Sequence, residues 1–299
     1  MAAGAVALFA TRKRFEESVT SYRRALEIVP GFVQAFGGMM YTKTYICDWR
    51  DRAVELATLE QHVGRWLRSR AGEAPPVLLP LQALVYTTLS TPRVLKAITA
   101  KHARDLRLQQ VGTLGSGDES SGVVGEAVAQ RTPGRLRLCY ASLGFESHPH
   151  GQLMRGVFAL HNRSLVEVVA FALSPDDGSE ERRDIASTAD HFVPLDGHPS
   201  PGAAMRRWGC DIALYLDGYV MRARPQLFAR RADGSGGVAP VQIACMYPAT
   251  LGTDDFDYHL GDHVCTPPEL HDGQFYSRNS AGVPSGKYDV PVKHIVNLQ

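Results

Sequence analysis

Apolar positions recur at helical spacing through the first third of the chain. In residues 15–29 the series ends at Pro30, where a helix must stop, and consists of Phe15, Val19, Tyr22, Ala25, Leu26 and Val29. A second series follows at Val33, Phe36, Met39 and Met40. Residues 50–110 indicate two or three more helices, with a break at residues 72–76. These patterns predict a helical segment over residues 1–110.

The first two predicted helices have the spacing of a known repeat. The placement of Tyr22, Ala25 and Pro30 resembles the second helix of a tetratricopeptide repeat, with Phe36 at the aromatic position of the next unit. Only about one and a half units are present, whereas such arrays need roughly three repeats for stability. We therefore expect either that the chain begins inside a longer superhelix or that these helices pack on the following domain.

Short strands alternating with helices are predicted after Pro133. Residues 111–133 are rich in Gly, Ser and acidic side chains without periodicity, which is typical of a flexible linker. Beyond it, apolar runs predict strands at residues 135–142, 166–173, 191–195, 210–216 and 241–246, with helices at 153–161, 180–189 and 203–208. Crossovers of helix length make such strands parallel. We predict an α/β fold: a helical segment, a doubly wound lobe over residues 134–268, and an irregular tail over residues 269–299.

Composition excludes several classes of partner. Apolar residues make up 44% and charged residues 21%, as in an ordinary soluble domain, and the net charge of +1 provides no field to attract nucleic acid or an anionic membrane. The apolar start is too short to span a bilayer and lacks the basic region of a signal peptide. The five cysteines are odd in number and far apart, which favours buried thiols in a reducing compartment. We therefore expect a cytoplasmic or nuclear protein.

The candidate chemistry lies in loops that follow predicted strands, because doubly wound sheets bind ligands at the carboxyl ends of their strands. The loop Gly144-Phe-Glu-Ser-His-Pro-His150 places His148 at such an end. An imidazole there could accept a proton from a hydroxyl or donate a hydrogen bond to a sugar, and it could equally be a surface or capping histidine. His148 and His150 have no further ligand at useful spacing, so no metal is expected. Taken alone, His191 is typical of a structural histidine.

Three further loops leave their role open. Leu173-Ser-Pro-Asp-Asp-Gly178 is typical of a turn with helix-capping residues. Asp217-Gly-Tyr219 and Tyr247-Pro-Ala-Thr250 each end an apolar strand, and each could contact a ligand or only turn the chain. The chain has no Gly-x-Gly-x-x-Gly, no phosphate-binding loop with lysine and no nucleophile elbow, which argues against a dehydrogenase, an ATPase and a serine hydrolase.

A family resemblance joins these loops. The motifs occur in the order Cys47-Asp-Trp49, Arg135-Leu-Arg-Leu-Cys-Tyr140, Gly144-Phe-Glu-Ser-His-Pro149, Phe171-Ala-Leu-Ser-Pro-Asp-Asp-Gly178, Ala189-Asp-His-Phe192, Asp211-Ile212, Asp217-Gly-Tyr219, Arg224-Pro-Gln-Leu-Phe228, Ala239-Pro-Val-Gln242 and Tyr247-Pro248. From about residue 15 to about residue 268 this series resembles the O-linked N-acetylglucosamine transferases, whose catalytic region follows a tetratricopeptide array. The SPINDLY proteins, which use a fucose donor, share the scaffold, but the His-Pro pair and the Ser-Pro-Asp-Asp-Gly run are closer to the N-acetylglucosamine branch.

The resemblance implies the first Rossmann-like lobe of a two-lobed type B glycosyltransferase. Such enzymes transfer N-acetylglucosamine from UDP-GlcNAc to Ser or Thr hydroxyls of proteins with inversion, and need neither metal nor cofactor. By the same resemblance, His148 matches a histidine proposed as proton acceptor, His191 a second histidine lining the cleft, and Tyr247 and Pro248 a loop that touches the sugar. We expect all four at carboxyl ends of strands.

Several departures from the family pattern keep other hypotheses open. Met246 stands where the family has glycine, Ala249 replaces a small turn residue, and residues 230–237 carry an insertion. The family's UDP-binding lysine and histidine belong to a second lobe, so we expect no turnover from this polypeptide alone. The alternatives are a non-catalytic module whose helices bind protein partners, an O-fucosyltransferase of the SPINDLY type, and an unrelated nucleotide-binding α/β protein.

Overall fold

The computed structural model describes residues 14–70, 72–73, 75, 80–86, 89, 92–114, 130–220, 222–230, 236–245, 251–261 and 293–294. The chain divides into two compact units, Met1–Gln109 and Gln110–Gln299. Among the helices of these ranges, none is long and apolar enough to cross a membrane.

The first unit is helical. Its helices are α1 (Phe15–Ile28), α2 (Val33–Tyr45), α3 (Arg52–Arg68), α4 (Pro80–Ala83) and α5 (Pro92–Leu114). Helices α1 and α2 pack against each other, and a Cβ atom on Gly38 would lie only 2.6 Å from the ring of Tyr22. The missing side chain at Gly38 therefore lets the two helices approach over Tyr22.

A buried ion pair joins α2 to α3. The Nζ atom of Lys43, 1% exposed, lies 2.6 Å from Glu55 Oε1 and 2.8 Å from Oε2. In the connecting turn, hydrogen bonds from Arg50 hold the pKa of Asp48 well below its ordinary value. The Cys-Asp-Trp motif thus forms a turn between two helices, with positive φ angles of 51° at Cys47 and 57° at Asp51.

The second unit is a parallel sheet. Its strands are β1 (Leu136–Ser142), β2 (Val166–Ala172), β3 (His191–Pro194), β4 (Ile212–Tyr215), β5 (Val241–Cys245), β6 (Tyr258–Gly261) and β7 (Lys293–His294). The spatial order is β3-β2-β1-β4-β5-β6-β7, and every pairing is parallel. The chain builds outward from β1 to β3 and then returns to place β4 beside β1. This is the Rossmann-like order, with its topological switch point between β1 and β4.

Helical connections lie between the strands. They are α6 (Pro149–Met154), α7 (Glu180–Thr188) and α8 (Pro201–Arg207), together with 3₁₀ turns at Phe158–Leu160 and Pro225–Phe228. The core contains Tyr140 on β1, Val168 on β2 and Leu214 on β4, with Phe145 and Phe158 packed on them. Strand β2 is buried over six of its seven residues, as expected of a parallel strand covered on both faces.

The predicted fold class, helices followed by a Rossmann-like sheet, is confirmed. Two strands were not predicted. Strand β6, Tyr258-His-Leu-Gly261, has no continuous apolar run, and β7, inside the predicted irregular tail, has too few residues for a periodic signal. The helix predicted at residues 153–161 is instead α6 and a 3₁₀ turn. Helix α5 continues to Leu114, past the predicted start of the linker, since an interior glycine costs a helix only about 1 kcal/mol. The remaining domain boundaries stay predictions.

A disulfide joins Cys139 on β1 to Cys210, just before β4. Both residues are buried, at 1% and 3% exposure, and their Cα atoms lie 6.0 Å apart. The expectation of thiols is wrong for this pair, because the crossover brings together residues 71 positions apart in sequence. In the described part of the chain Cys47 and Cys245 remain thiols. The disulfide removes the argument for a reducing compartment, and cellular location stays a prediction.

Candidate active site

The candidate site lies at the switch point of the sheet, where the loops after β1 and β4 diverge. Crevices of this kind bind ligands in doubly wound folds because backbone groups and loop side chains converge there without helices covering them. Here the converging residues are Ser142, His148 and His150 from the β1 side and Asp217 from the β4 side.

Asp217 fixes the start of the loop after β1. Its side chain is 0% exposed. Oδ1 accepts a hydrogen bond from Ser142 Oγ at 2.5 Å, and Oδ2 accepts one from the backbone N–H of Leu143 at 2.7 Å. Ser142 Oγ in turn accepts from the N–H of Gly144 at 2.8 Å. A buried carboxylate satisfied by such donors holds the two strand ends in register.

Two glycines allow the loop to close tightly. A Cβ atom on Gly151 would lie 2.1 Å from the carbonyl oxygen of Glu146, and one on Gly144 would lie 2.7 Å from His148 Nδ1. Neither position has room for a side chain. The side chains of His148 and His150 therefore pack against the backbone of Gly144.

His148 caps helix α6. It precedes Pro149 in extended conformation, and its Nδ1 atom accepts a hydrogen bond from the N–H of His150 at 3.2 Å. The capping role that the sequence left open is thus present. Burial lowers the pKa of His148, and His150 lowers it further, whereas Asp217 and Glu146 oppose the shift. A lowered pKa favours the neutral ring.

His150 links His148 to the buried carboxylate. Its side chain is 11% exposed, and its Nδ1 atom lies 3.4 Å from Asp217 Oδ1. Its ring packs edge-on against that of His148, with 4.8 Å between the centroids. Sequence reasoning considered His150 only as a metal ligand, because no sequence signal pairs it with a residue 67 positions later. Within the described ranges no group of three His, Cys, Asp or Glu side chains could hold a metal ion.

The loop after β2 supports the histidine loop. Asp177 Oδ2 accepts a hydrogen bond from the N–H of Ser147 at 2.7 Å, and this bond is the main reason that the pKa of Asp177 falls to about 2. Arg182, buried at 5% exposure, donates to the carbonyls of Phe145 and Ser174. Ser179, one residue past the predicted turn Leu173–Gly178, caps α7. The Ser-Pro-Asp-Asp-Gly run therefore precedes the helix cap and, through Asp177, supports the loop after β1.

The predicted sugar-contacting residues Tyr247 and Pro248 lie outside the described residues. The chain that follows them is anchored, because the buried Tyr219 donates from its hydroxyl to the carbonyl of Leu251 at 2.6 Å. Arg230, at the start of the predicted insertion, binds both carboxylate oxygens of Asp257. Tyr219 thus connects the loop after β4 to the chain that follows residues 246–250.

His191 lies at the amino ends of the strands, on the side of the sheet away from the candidate site. It is the first residue of β3, and its Nε2 atom lies 3.0 Å from Glu167 Oε1, while Arg137 Nε donates to Glu167 Oε2 at 2.8 Å. The prediction that His191 sits at a carboxyl end is wrong, since the residue that opens a parallel strand lies at its amino end. The structure brings His148 and His150 together with Asp217, and does not bring His191 to them.

Comparison with known proteins assigns the family. The profile of glycosyl transferase family 41 matches residues 46–288, and the chain belongs to this family. A Caenorhabditis elegans protein named UDP-N-acetylglucosamine--peptide N-acetylglucosaminyltransferase is 31% identical over 233 residues, which cover 75% of this chain and 19% of that protein. The Arabidopsis thaliana protein named "Probable UDP-N-acetylglucosamine--peptide N-acetylglucosaminyltransferase SEC" is 30% identical over 251 residues, covering 82% and 24% respectively.

The chain therefore spans about a fifth to a quarter of the length of these relatives, at 19% and 24%. Among solved structures, a mutant of the Thermobaculum terrenum O-GlcNAc transferase aligns with a TM-score of 0.43 at 20% identity, covering 93% of this chain and 57% of that one. The Rossmann-like assignment rests on the strand order of the sheet itself.

Proposed function

We propose that this chain supplies the first lobe of a type B glycosyltransferase that moves N-acetylglucosamine from UDP-GlcNAc to Ser or Thr hydroxyls of proteins, inverting the anomeric centre. Family membership and the names of two relatives support the reaction class. The observation that carries the proposal is the meeting of His148, His150 and Asp217 at the switch point.

The reaction needs positioning and a destination for one proton. The acceptor oxygen attacks the anomeric carbon while the bond to the UDP oxygen breaks, so the hydroxyl must be held in line at short range. Its proton must leave during the attack, and an imidazole that is neutral near pH 7 suits this task. The loop after β1 supplies two imidazoles held by backbone hydrogen bonds and a buried carboxylate. The proposal includes no metal and no cofactor.

We assign the sugar and the acceptor hydroxyl to this lobe, and the diphosphate to the second lobe that the family resemblance implies. A leaving diphosphate requires cationic or helix N-terminal partners. The polypeptide alone is accordingly proposed to bind UDP weakly and not to turn over. The α1–α2 hairpin is proposed as tetratricopeptide-like and as a contact for protein partners, supported by its Tyr22–Gly38 packing.

NMR of the histidine rings during ligand titration tests whether the sugar binds this lobe while the diphosphate needs the second lobe. We expect UDP-GlcNAc to shift the ring signals of His148 and His150 at millimolar concentration and to leave His62, in the helical unit, unchanged. UDP alone should give neither these shifts nor measurable heat in calorimetry, and no sugar should reach an acceptor peptide above a heat-killed control.

Three other outcomes would each contradict a different part of the proposal. Equal binding of UDP and UDP-GlcNAc, or turnover by the chain alone, would overturn the assignment of the diphosphate to a second lobe. Shifts with GDP-fucose only would place the donor with the SPINDLY proteins. If no sugar nucleotide moves the two histidines, this lobe does not contact the donor sugar.

A further inference from the structure

The capping hydrogen bond of His148 determines where its proton sits. Nδ1 accepts from the N–H of His150, so its lone pair faces a donor and cannot carry a hydrogen in that geometry. A neutral imidazole has one N–H, which in His148 must then be on Nε2. The Nε2 atom of neutral His148 is therefore a hydrogen-bond donor and not a proton acceptor.

His150 has the opposite surroundings. Its Nδ1 atom is buried, makes no hydrogen bond, and lies 3.4 Å from Oδ1 of the buried Asp217. This distance is long for a hydrogen bond, so the attraction is mainly electrostatic. A carboxylate next to a ring nitrogen still favours a hydrogen on that nitrogen over a lone pair, because two lone pairs repel each other. The neutral ring of His150 then carries its hydrogen on Nδ1 and its lone pair on Nε2.

We infer that Asp217 is a positioning residue that gives the two histidines different roles, with His148 as an Nε2–H donor and His150 as the proton acceptor. The assignment rests on the proposed function. In the transfer step, the acceptor hydroxyl gives its proton to His150 Nε2 as its oxygen bonds to the anomeric carbon. The bond from that carbon to the UDP oxygen breaks, and UDP leaves with the electron pair. Asp217 stabilises the imidazolium that results.

The charges around His148 and His150 agree with these different roles. Glu146 on the same loop and Asp217 after β4 act to raise the pKa of His148, against burial and the neighbouring His150. The charged groups of the loop after β2 and of α7 already have partners: the carboxylate of Asp177 accepts from the N–H of Ser147, and Arg182 donates to the carbonyl of Phe145. Loss of the Asp217 charge should therefore lower the pKa of His148.

Long-range ¹⁵N–¹H NMR of the histidine rings reads the tautomers directly, in the whole chain and without any ligand. We expect His148 with its hydrogen on Nε2 and His150 with its hydrogen on Nδ1. In the Asp217→Asn variant, the tautomer of His150 with its hydrogen on Nδ1 should become the minor one. The pKa of His148 should become lower. Asp211→Asn is the matched control. Asp211 also accepts a backbone N–H, but it precedes β4 and so lies at the amino end of the strand, away from the two histidines.

The wild-type spectrum alone can refute the inference, so the test holds even if Asp217→Asn does not fold. His150 with Nε2–H, or His148 with Nδ1–H, overturns it, and so does an unchanged His150 in folded Asp217→Asn. Because no donor is added, this failure is separate from failure of the proposed function, which appears as missing UDP-GlcNAc shifts on His148 and His150.

Discussion

Among the glycines in the described ranges, the tightest contact lies at Gly151, in the first turn of α6. Any side chain there would overlap the carbonyl oxygen of Glu146, a backbone atom that cannot rotate away. The loop must therefore open if this residue is replaced. Because the same loop carries His148 and His150, the geometry of the candidate site depends on a residue that has no functional group.

Replacement of Gly151 by alanine should lower the free energy of unfolding of the sheet unit by about 3 kcal/mol, in the range of other overpacking substitutions. Gly156→Ala is the control, since a Cβ atom at Gly156 meets nothing within 4 Å. Amide hydrogen exchange of β1 measures both variants. Equal protection in the two variants would show that the loop accommodates the methyl group at little cost.

How far the site could be predicted also differs from residue to residue. His148 was found because a strand-ending loop with a His-Pro pair is visible in sequence. His150 was not, because its significance depends on Asp217, which only the return of the chain to β4 brings near. His191 was assigned to a carboxyl end through the family resemblance, although it opens the predicted strand over residues 191–195 and therefore lies at an amino end.

At the level of elements, β1 and β2 are joined at their amino ends by the buried pair of Arg137 and Glu167. Both side chains are 3% exposed, and the two residues are directly opposite in the strand register. Burial by itself raises the pKa of Glu167, but the hydrogen bonds from Arg137 and His191 outweigh it, so the pKa is lowered on folding. A lowered pKa means that the ionised form stabilises the native state, and that this contribution is lost as the pH falls through the folded-state pKa.

Glu167→Gln should therefore destabilise the sheet unit by about 3 kcal/mol at pH 7, since it removes the carboxylate that Arg137 Nε binds while the guanidinium stays buried. The difference from wild type should shrink as the pH falls below 4.5, the ordinary pKa of Glu. Asp184→Asn is the control, because the Arg155–Asp184 pair is 43% exposed on both sides and should contribute less than about 1 kcal/mol. A difference that stays constant down to pH 3 would contradict the role assigned to the ionised pair.

Elements with continuous apolar runs or clear helical periodicity were predicted well. The strands β1 to β5 and helix α7 were each located to within a few residues, because buried parallel strands give continuous apolar runs. Strand β6, Tyr258-His-Leu-Gly261, has no continuous apolar run, and β7 has two residues, so neighbouring strands determine their conformation more than their own sequence does.

For the whole molecule, the disulfide is the main cross-link that sequence reasoning missed. It closes a loop that contains β2 and β3, with a sequence separation of 71 residues. Cross-linking a loop of this length stabilises the folded state by about 4 kcal/mol in the chain-entropy model.

Reduction should thus lower the free energy of unfolding of the sheet unit by about 4 kcal/mol. Hydrogen exchange of β1 amides with and without a reductant measures it. A variant with both Cys139→Ala and Cys210→Ala should not respond to the reductant, whereas Cys47→Ser should behave as wild type. An equal response in the double variant would mean that the reductant acts elsewhere.

The strand order also has a consequence for synthesis on the ribosome. Strand β1 is translated first, but β4, one of its two neighbours in the sheet, is translated only after β2 and β3. At 5 to 20 residues per second, the 71 residues between Cys139 and Cys210 take about 4 to 14 seconds to appear. During that interval one edge of the nascent sheet has no partner from its own chain and is open to association with other chains. The co-translational hazard of this lobe therefore lies along the edge of β1 that later pairs with β4, and the candidate active site forms at the carboxyl ends of these two strands.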